Sequence, residues 1–295
     1  MIDPGAKSLV TYAQNREDVI LRAFFYDTDK GFYVDVGANH PTSDSVTKMF
    51  YDMGWRGINI EPIKELHKKF RKDRPEDINL AVGVSNEFGE LEFTEFETHG
   101  ISTFSADTAK EYAKDEKVKK SYTVKVDTLA SILEGQEFES IQFLKIDIEG
   151  YEYEALEGND WDKYRPEVIC IEANHVERDW RPILTDNGYS LAYFDGLNEY
   201  YVEEKSKHRA ELFRESFPKI LVDAPIIEMP WQKVIDRLTE QLENVQAALD
   251  SQTEVSQRLE KELHIHQGEI ANLKQTHAQE LEEANKGFMD KFRNK

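Results

Sequence analysis

Residues 31–62 read GFYVDVGANHPTSDSVTKMFYDMGWRGINIEP. This stretch begins with an apolar run that ends in VDVGAN, continues through residues with helical spacing, and closes with a second apolar run ending in Glu61 and Pro62. A strand, a helix and a strand in that order predict two parallel strands joined by a crossover helix.

The same alternation continues along the chain and predicts an α/β fold with helices on both faces of a mostly parallel sheet. The predicted strands are 31–38, 57–62, 78–84, 122–128, 141–148 and 166–173. The predicted helices are 15–26, 45–53, 63–72, 106–114, 150–157 and 178–187. Asp195 and Gly196 lie between two β-prone runs, which predicts an antiparallel hairpin at the end of the sheet.

The composition excludes several classes of function. The chain has 295 residues with 37 Lys and Arg against 58 Asp and Glu, a net charge of −21. An acidic chain is a poor partner for nucleic acid, which is bound through clustered Lys and Arg. There is no apolar run of the roughly 20 residues that a transmembrane helix needs, and no secretory signal. With the single cysteine Cys170, a cytoplasmic location is expected.

The C-terminal part has a different pattern. Gln, Glu, Leu and Ala dominate residues 231–295, and apolar residues recur there at alternating spacings of four and three through 231–281. This heptad pattern predicts a long coiled-coil helix that self-associates as a dimer or trimer; a single amphipathic helix folded back on the domain is the alternative. The expected domains are therefore 1–228, a Pro-rich linker at 218–230, and the coiled coil at 231–295. The charged ending KFRNK fits the front of a longer protein.

Acidic residues end two successive predicted strands. Asp35 lies in the first, where Gly37 lets the turn bring backbone close to a ligand, and Glu61 ends the second. A carboxylate at that position can accept hydrogen bonds from both hydroxyls of a ribose. NAD or FAD would require a glycine-rich turn for the pyrophosphate, but Gly37 is the only glycine there. S-adenosylmethionine, which has positive groups and no phosphate, is the expected cofactor.

A second acidic cluster is predicted where the later strands end. Asp147 follows LKI, and the next strand ends in IEANH, which contains Glu172 and His175. If these strands are neighbours, the three side chains share one crevice and act as a general base, or Asp147 and Glu172 hold a divalent cation. Glu149 and Glu152 have the alternative role of capping a helix start.

Two further histidines, His40 and His99, are alternative candidates for the base, each as a lone loop histidine.

Several of these stretches together resemble the FkbM family of S-adenosylmethionine-dependent methyltransferases. The matching pieces are YAQNREDVIL (12–21), GFYVDVGANHPTSDSVTKMF (31–50), GWRGINIEP (54–62), GIST (100–103) and LKIDIEGYE (144–152). The resemblance covers about residues 9–195. It implies a class I, Rossmann-like methyltransferase sheet and O-methylation of a hydroxyl on a sugar or polyketide.

The resemblance also implies roles for individual residues. The methionine part of the cofactor is expected at Asp35, Gly37, Ala38 and Asn39, the ribose at Glu61 beside Pro62, and the adenine near Asn79 and Val82. Gln14, Glu17 and Asp18 are expected to close over the cofactor. Thr42, Ser45, Ser102 and Thr103 are the expected contacts to the acceptor.

The predicted coil is outside that family pattern. It resembles the arrangement in bacterial polysaccharide enzymes, in which a methyltransferase domain joined to a coiled coil caps a growing glycan. This suggests a glycan acceptor and peripheral association with a polysaccharide assembly complex. The competing hypotheses are a non-catalytic coiled-coil scaffold with a degenerate domain, and a nucleotide-dependent oxidoreductase, which the missing glycine-rich turn disfavours.

Overall fold

The computed structural model describes residues 9–98, 100–174, 178–223, 226–228 and 267–277. The strands are β1 Leu9–Thr11, β2 Phe32–Val36, β3 Arg56–Ile60, β4 Ile78–Leu80, β5 Gly83–Val84, β6 Gly89–Phe96, β7 Val118–Asp127, β8 Phe143–Ile146, β9 Val168–Glu172, β10 Tyr189–Phe194, β11 Asn198–Glu203 and β12 Ile226–Glu228. The helices are α1 Glu17–Phe24, α2 Lys48–Asp52, α3 Lys64–Asp73, α4 Ala106–Tyr112, α5 Leu129–Leu133, α6 Glu152–Glu157, α7 Arg181–Asp186 and α8 His208–Asp223.

The chain forms two compact units. The larger one is Ala13–Phe217, and the other combines Met1–Tyr12 with Pro218–Lys295. In the second unit, β1 pairs in parallel with β12.

The larger unit is built on a seven-stranded sheet with the order β10-β11-β9-β8-β2-β3-β4. Strands β9, β8, β2, β3 and β4 run parallel to one another, and β11 is antiparallel to both β9 and β10. The prediction of an α/β fold with a mostly parallel sheet and a terminal hairpin is confirmed. The carboxyl ends of the parallel strands meet at one edge, which is where such sheets bind ligands.

The central strands are buried on both faces. Every residue of β8 is buried, as are four of the five residues in each of β2, β3 and β9. An aromatic cluster contacts the sheet: the rings of Phe50 and Phe143 are 4.8 Å apart, and those of Phe50 and Trp55 are 4.9 Å apart. Burying such a side chain contributes about 1.5–3 kcal/mol. This packing gives the strand ends a rigid base.

A smaller sheet of order β5-β7-β6 was not predicted as a separate layer. The prediction that residues 122–128 join the main sheet is wrong, because β7 pairs antiparallel with β6 and parallel with β5. The predicted strand at 78–84 also divides, with β4 in the main sheet and β5 in the smaller one. In β7, Val124 and Val126 are buried and alternate with exposed residues. That pattern is typical of a sheet with one solvated face.

The stretch 218–230 is partly regular. Helix α8 continues through Pro218 to Asp223, and residues 226–228 form β12. Regular structure thus continues into the predicted Pro-rich linker, whose role as a domain boundary stays a prediction. Proline removes one backbone hydrogen bond from a helix, but its fixed φ is itself helical.

Of the predicted coiled coil, the structure describes residues 267–277, which are helical. The rest of 231–281 lies outside the described residues, so the self-association of this segment stays a prediction. Among the helices that the structure describes, none combines the length and the apolar character needed to cross a bilayer.

Candidate active site

A cleft lies at the carboxyl ends of β2, β3 and β8. Its volume is about 530 Å³ including the open mouth. The lining residues are Val36, Gly37, Asn39, Ile60, Glu61, Pro62, Ile63, Val82, Gly83, Val84, Phe93, Gly100, Ser102, Phe104, Asp147, Ile148 and Glu149. Apolar and aromatic side chains are thus combined with three carboxyl groups, and seven of the predicted site residues are among them.

Gly37 forms the turn after β2. Its φ is +75°, a left-handed conformation that glycine adopts without strain. The backbone N–H groups of Gly37 and Ala38 both donate to the carbonyl of Ile60 at 3.1 Å. The N–H of Asp147 donates to the carbonyl of Val36, also at 3.1 Å. The turn is therefore tied to both neighbouring strands, and the cofactor position predicted for it lies beside Asp147.

Glu61 is held in place by the backbone. One carboxylate oxygen accepts from the N–H of Asn39 at 2.9 Å, and the other accepts from the N–H of Ile63 at 2.8 Å. Burial raises the pKa of Glu61 to about 8, although these two hydrogen bonds and the charge of Lys145 act in the opposite direction. Each carboxylate oxygen has a second lone pair. A diol that donates to both oxygens would favour the ionised form.

Asp35 lies beneath the cleft and is absent from its lining. The side chain is buried, and Oδ2 accepts from the hydroxyl of Thr47 at 2.8 Å. Oδ1 lies 3.7 Å from Nζ of Lys145. The structure thus places Asp35 where it can support the Gly37 turn, and its direct contact with a cofactor stays a prediction.

Lys145 is a site residue that the sequence reasoning did not identify. Its Nζ lies 3.2 Å from Oδ2 of Asp147 and donates to the carbonyl oxygen of Gly37 at 3.1 Å. Burial lowers the pKa of Lys145, but the charges of Asp147 and Asp35 outweigh that effect and raise it. The sequence does contain a signal for Lys145: a lysine within the buried strand FLKI requires a charged partner.

Three carboxyl groups converge beside this lysine. Strands β8 and β9 are parallel neighbours with Ile146 opposite Ile171, so Asp147 and Glu172 follow at adjacent positions. One oxygen from each of Asp147, Glu149 and Glu172 lies within 4.8 Å of the other two. The predicted convergence of Asp147 and Glu172 is thus present, and Glu149 joins them.

Burial and mutual proximity raise the pKa values of two of these acids. Burial, followed by the charge of Asp147, raises the pKa of Glu149 to about 8, against a hydrogen bond that the hydroxyl of Tyr112 donates to it. Burial, followed by the charges of Asp147 and Glu149, raises the pKa of Glu172 to about 10. At neutral pH the cluster therefore retains protons, because burial and the repulsion between neighbouring carboxylates both disfavour the charged forms.

Glu152 does not cap α6: it is the first residue of that helix, and its carboxylate binds the turn before it. Its Oε1 accepts from the N–H groups of Ile148 and Gly150 at 3.1 and 3.2 Å. Burial raises its pKa to about 7, while its backbone hydrogen bonds oppose the shift. Glu152 thereby stabilises the turn that carries Glu149, whose φ is +56°.

Several residues predicted to contact the cofactor lie outside the cleft lining. Gln14 is exposed, whereas the buried carboxylate of Asp18 accepts from the N–H of Val19 at 2.8 Å. Ala38 is buried behind the turn. The amide of Asn79 donates to the carbonyl of Arg74 at 2.9 Å and accepts from Asn59 at 3.0 Å. Asp18 in α1 and Asn79 in β4 are therefore engaged in hydrogen bonds within the protein.

The predicted acceptor contacts fall into two groups. Ser102 lines the cleft, and the N–H of Thr42 donates to Nδ1 of His40 at 3.2 Å. Ser45 and Thr103 are buried instead. The Ser45 hydroxyl accepts from the guanidinium of Arg74 at 2.5 Å. The Thr103 hydroxyl donates to the carbonyl of Glu149 at 2.8 Å, so it supports the acidic cluster.

The predicted base His175 and the alternative His99 lie outside the described residues. The other alternative, His40, accepts through Nδ1 from the N–H groups of Thr42 and Ser43, both at 3.2 Å. This nitrogen is therefore occupied in shaping the loop.

Comparison with known proteins identifies the family. The model of the methyltransferase FkbM domain matches residues 35–191. A Streptococcus pneumoniae protein of solved structure, Sp1610, described as "a putative tRNA (m1A22) methyltransferase", is 13% identical; the match covers 83% of this chain and 95% of that protein, with a TM-score of 0.33. A search of curated proteins found no match. Since the family match spans more than half of the sequence, the chain belongs to the methyltransferase FkbM domain family.

Proposed function

We propose that this methyltransferase transfers the methyl group of S-adenosylmethionine to a hydroxyl oxygen of a sugar. The observation that carries the proposal is the pair of carboxylates in one cleft. Glu61 is fixed by two backbone N–H groups, and Asp147 lies beside the Gly37 turn. The first suits a ribose, and the second suits a hydroxyl that must lose its proton.

The groups that line the cleft fit this cofactor. Lone pairs on Glu61 can accept from a ribose diol, and the apolar side chains of Val82, Phe93 and Phe104 offer contact surface to a purine ring. The excess of carboxyl groups over ammonium groups suits the positive sulfonium and amino groups of S-adenosylmethionine. A dinucleotide fits less well, because Ala38, Asn39 and His40 follow Gly37 where a glycine-rich turn would bind a pyrophosphate.

Asp147 is the proposed base. S-adenosylmethionine, when bound, supplies an electrophilic methyl group. The acceptor hydroxyl would give its proton to Asp147 as its oxygen bonds to that methyl group and the methyl–sulfur bond breaks, which would leave S-adenosylhomocysteine. Asp147 is partly exposed, with 34% of its side chain accessible, and it faces the ammonium of Lys145. Glu172, and His175 if it lies nearby, would orient the acceptor or the base.

A divalent cation is the alternative to a free base. Carboxylate oxygens of Asp147, Glu149 and Glu172 are the ligand type that Mg²⁺ and Ca²⁺ prefer. Such an ion would lower the pKa of a coordinated hydroxyl. Because Glu149 and Glu172 hold protons near neutral pH, metal binding would release protons and strengthen as pH rises. Activity that survives a chelator supports the free base.

The acceptor and the biological setting are also proposals. A sugar hydroxyl on a bacterial surface polysaccharide is supported by the family resemblance and by the heptad pattern of 231–281. In that setting the protein would be cytoplasmic, oligomeric through the coil, and peripherally associated with the assembly complex. The coiled coil would space the catalytic domains along the glycan.

The proposal is tested by binding and turnover. Titration calorimetry with S-adenosylmethionine, S-adenosylhomocysteine and NAD should give binding for the first two and none for NAD. Methyl transfer is then measured over nucleotide sugars and short glycans, with S-adenosylhomocysteine release as the readout. Binding of NAD alone would overturn the cofactor assignment. Cofactor binding with no transfer to any of these acceptors would favour the scaffold hypothesis.

A further inference from the structure

Lys145 is a buried cation that connects the two halves of the site. Its side chain is 7% exposed, and its Nζ lies 3.7 Å from Asp35, 3.2 Å from Asp147 and 3.1 Å from the carbonyl of Gly37. Strand β8 carries Lys145 directly opposite Asp35 of β2 in the register of the sheet. One ammonium group thus contacts the strand below the cofactor turn, the turn itself and the proposed base.

The energetics require such an arrangement. An ammonium group is very costly to bury unless charged partners and hydrogen bonds surround it. Lys145 has two carboxylates and a carbonyl around one nitrogen. Conversely, Oδ1 of Asp35 is buried and has no hydrogen-bond partner in the described part of the chain, so Lys145 is the cation that offsets its charge.

We infer that Lys145 is a positioning residue that fixes the Asp147 carboxylate beside the Gly37 turn, in the orientation that accepts the proton of the acceptor hydroxyl. This inference rests on the proposed function. Asp147 is partly exposed in the cleft, and carboxyl oxygens of Glu149 and Glu172 lie within 4.8 Å of it. Its charged partner is Lys145, whose ammonium lies 3.2 Å away and can hold the carboxylate in place.

A simpler role would be purely structural, in which Lys145 only neutralises buried Asp35. The two roles predict different results when both charges are removed together. Lys145→Met keeps the length and bulk of the side chain but leaves Asp35 as an unpaired buried charge. Asp35→Asn in the same protein removes that charge, and the Asn side chain can still accept from Thr47.

The experiment compares the full-length wild type with Lys145→Met, with Lys145→Met/Asp35→Asn, and with Lys163→Met. Lys163 is an exposed lysine that pairs with Glu134 at 3.7 Å, so its replacement is the control. The measurements are the melting temperature, the dissociation constant of S-adenosylmethionine, kcat, and a crystal structure of the double variant. Loss of a correctly held base commonly lowers kcat by about 10²–10⁴-fold.

If the inference is right, the double variant recovers the melting temperature that Lys145→Met loses, but its kcat stays at least about 100-fold below wild type. Its crystal structure shows the Asp147 carboxylate turned away from the Gly37 carbonyl. The inference is overturned if the double variant recovers kcat together with its melting temperature. It is also overturned if the Asp147 carboxylate of that variant stays in its original place. The crystal structure decides this point even if the wild type transfers no methyl group, a result that would count against the proposed function separately.

Discussion

Gly37 and Asp147 meet through their backbones: a Cβ atom added to Gly37 would lie 1.9 Å from the carbonyl oxygen of Asp147. The turn after β2 and the end of β8 therefore approach so closely that any side chain at Gly37 would push them apart. This contact holds the proposed cofactor turn and the proposed base in one fixed arrangement.

The contact predicts that Gly37→Ala is more damaging than an alanine at other left-handed glycines. Gly54→Ala is a matched control, because Gly54 has φ +93° and open space around its Cβ position. The backbone strain alone costs about 1–3 kcal/mol. The free energy of unfolding of Gly37→Ala should fall by this amount and, in addition, by the free energy needed to displace Asp147. Urea unfolding of both variants measures the difference, and equal losses would show that the contact is unimportant.

Replacing Glu61 should weaken the binding of the cofactor. Glu61→Gln keeps the shape but presents an NH₂ group to one backbone donor and removes the charge. We expect affinity for S-adenosylmethionine to fall at least about tenfold, which is about 1.4 kcal/mol. Calorimetry on wild type, Glu61→Gln and exposed Glu90→Gln measures this. An unchanged dissociation constant in Glu61→Gln would remove Glu61 from the cofactor site.

The raised pKa values predict how stability depends on pH. Glu61, Glu149 and Glu172 have folded-state pKa values of about 8, 8 and 10, against 4.5 for an ordinary glutamate. The folded protein then binds more protons than the unfolded chain above pH 4.5. The stability from these groups is fully present below about pH 4.5 and is lost as pH rises towards 8–10.

Melting temperatures of the ligand-free protein should accordingly fall between pH 6 and pH 9. Glu172→Gln should reduce that slope, because it removes a proton that the folded state keeps and the unfolded chain has released over this pH range. The exposed Glu90→Gln variant should keep the wild-type slope. A melting temperature that rises over this range in wild type would contradict the proposed protonation of the cluster.

Asp147→Asn should abolish most of the methyl transfer while the fold survives. The expected decrease in kcat is about 10²–10⁴-fold, the usual cost of losing a general base. The dissociation constant of S-adenosylmethionine should change little. Rates with and without a chelator separate the two mechanisms, since only the cation mechanism is sensitive. Full turnover by Asp147→Asn would place the base elsewhere, with His40, His99 and His175 the next residues to test.

A truncated protein tests whether catalysis and self-association belong to different segments of the chain. A protein that ends at Glu228 keeps β12 and the whole of Ala13–Phe217. It should be monomeric, bind cofactor normally and methylate a short acceptor, whereas the full chain should be a dimer or trimer. Light scattering on both proteins measures this. A monomeric full chain would contradict self-association, and a truncation that binds no cofactor would contradict an independent catalytic unit.

The sequence by itself determined the fold class and the positions where chemistry was to be sought. Apolar runs that alternate with helical spacing predict parallel strands, and the acidic residues at their ends, Asp35, Glu61 and Asp147, were visible as departures from that pattern. Local patterns carry this information because the period of side chains along a strand or helix is a property of the backbone.

Only the tertiary structure decided which of those residues work together. The register of β2 and β8 places Lys145 between Asp35 and Asp147, residues that are distant along the chain. Strand β7 shows the opposite case: its local pattern predicts a strand, but its partner β6 puts it in another sheet. Strand pairing and the packing around buried charges depend on contacts between distant segments, and their free energies are set by the distances and burial that the folded chain creates.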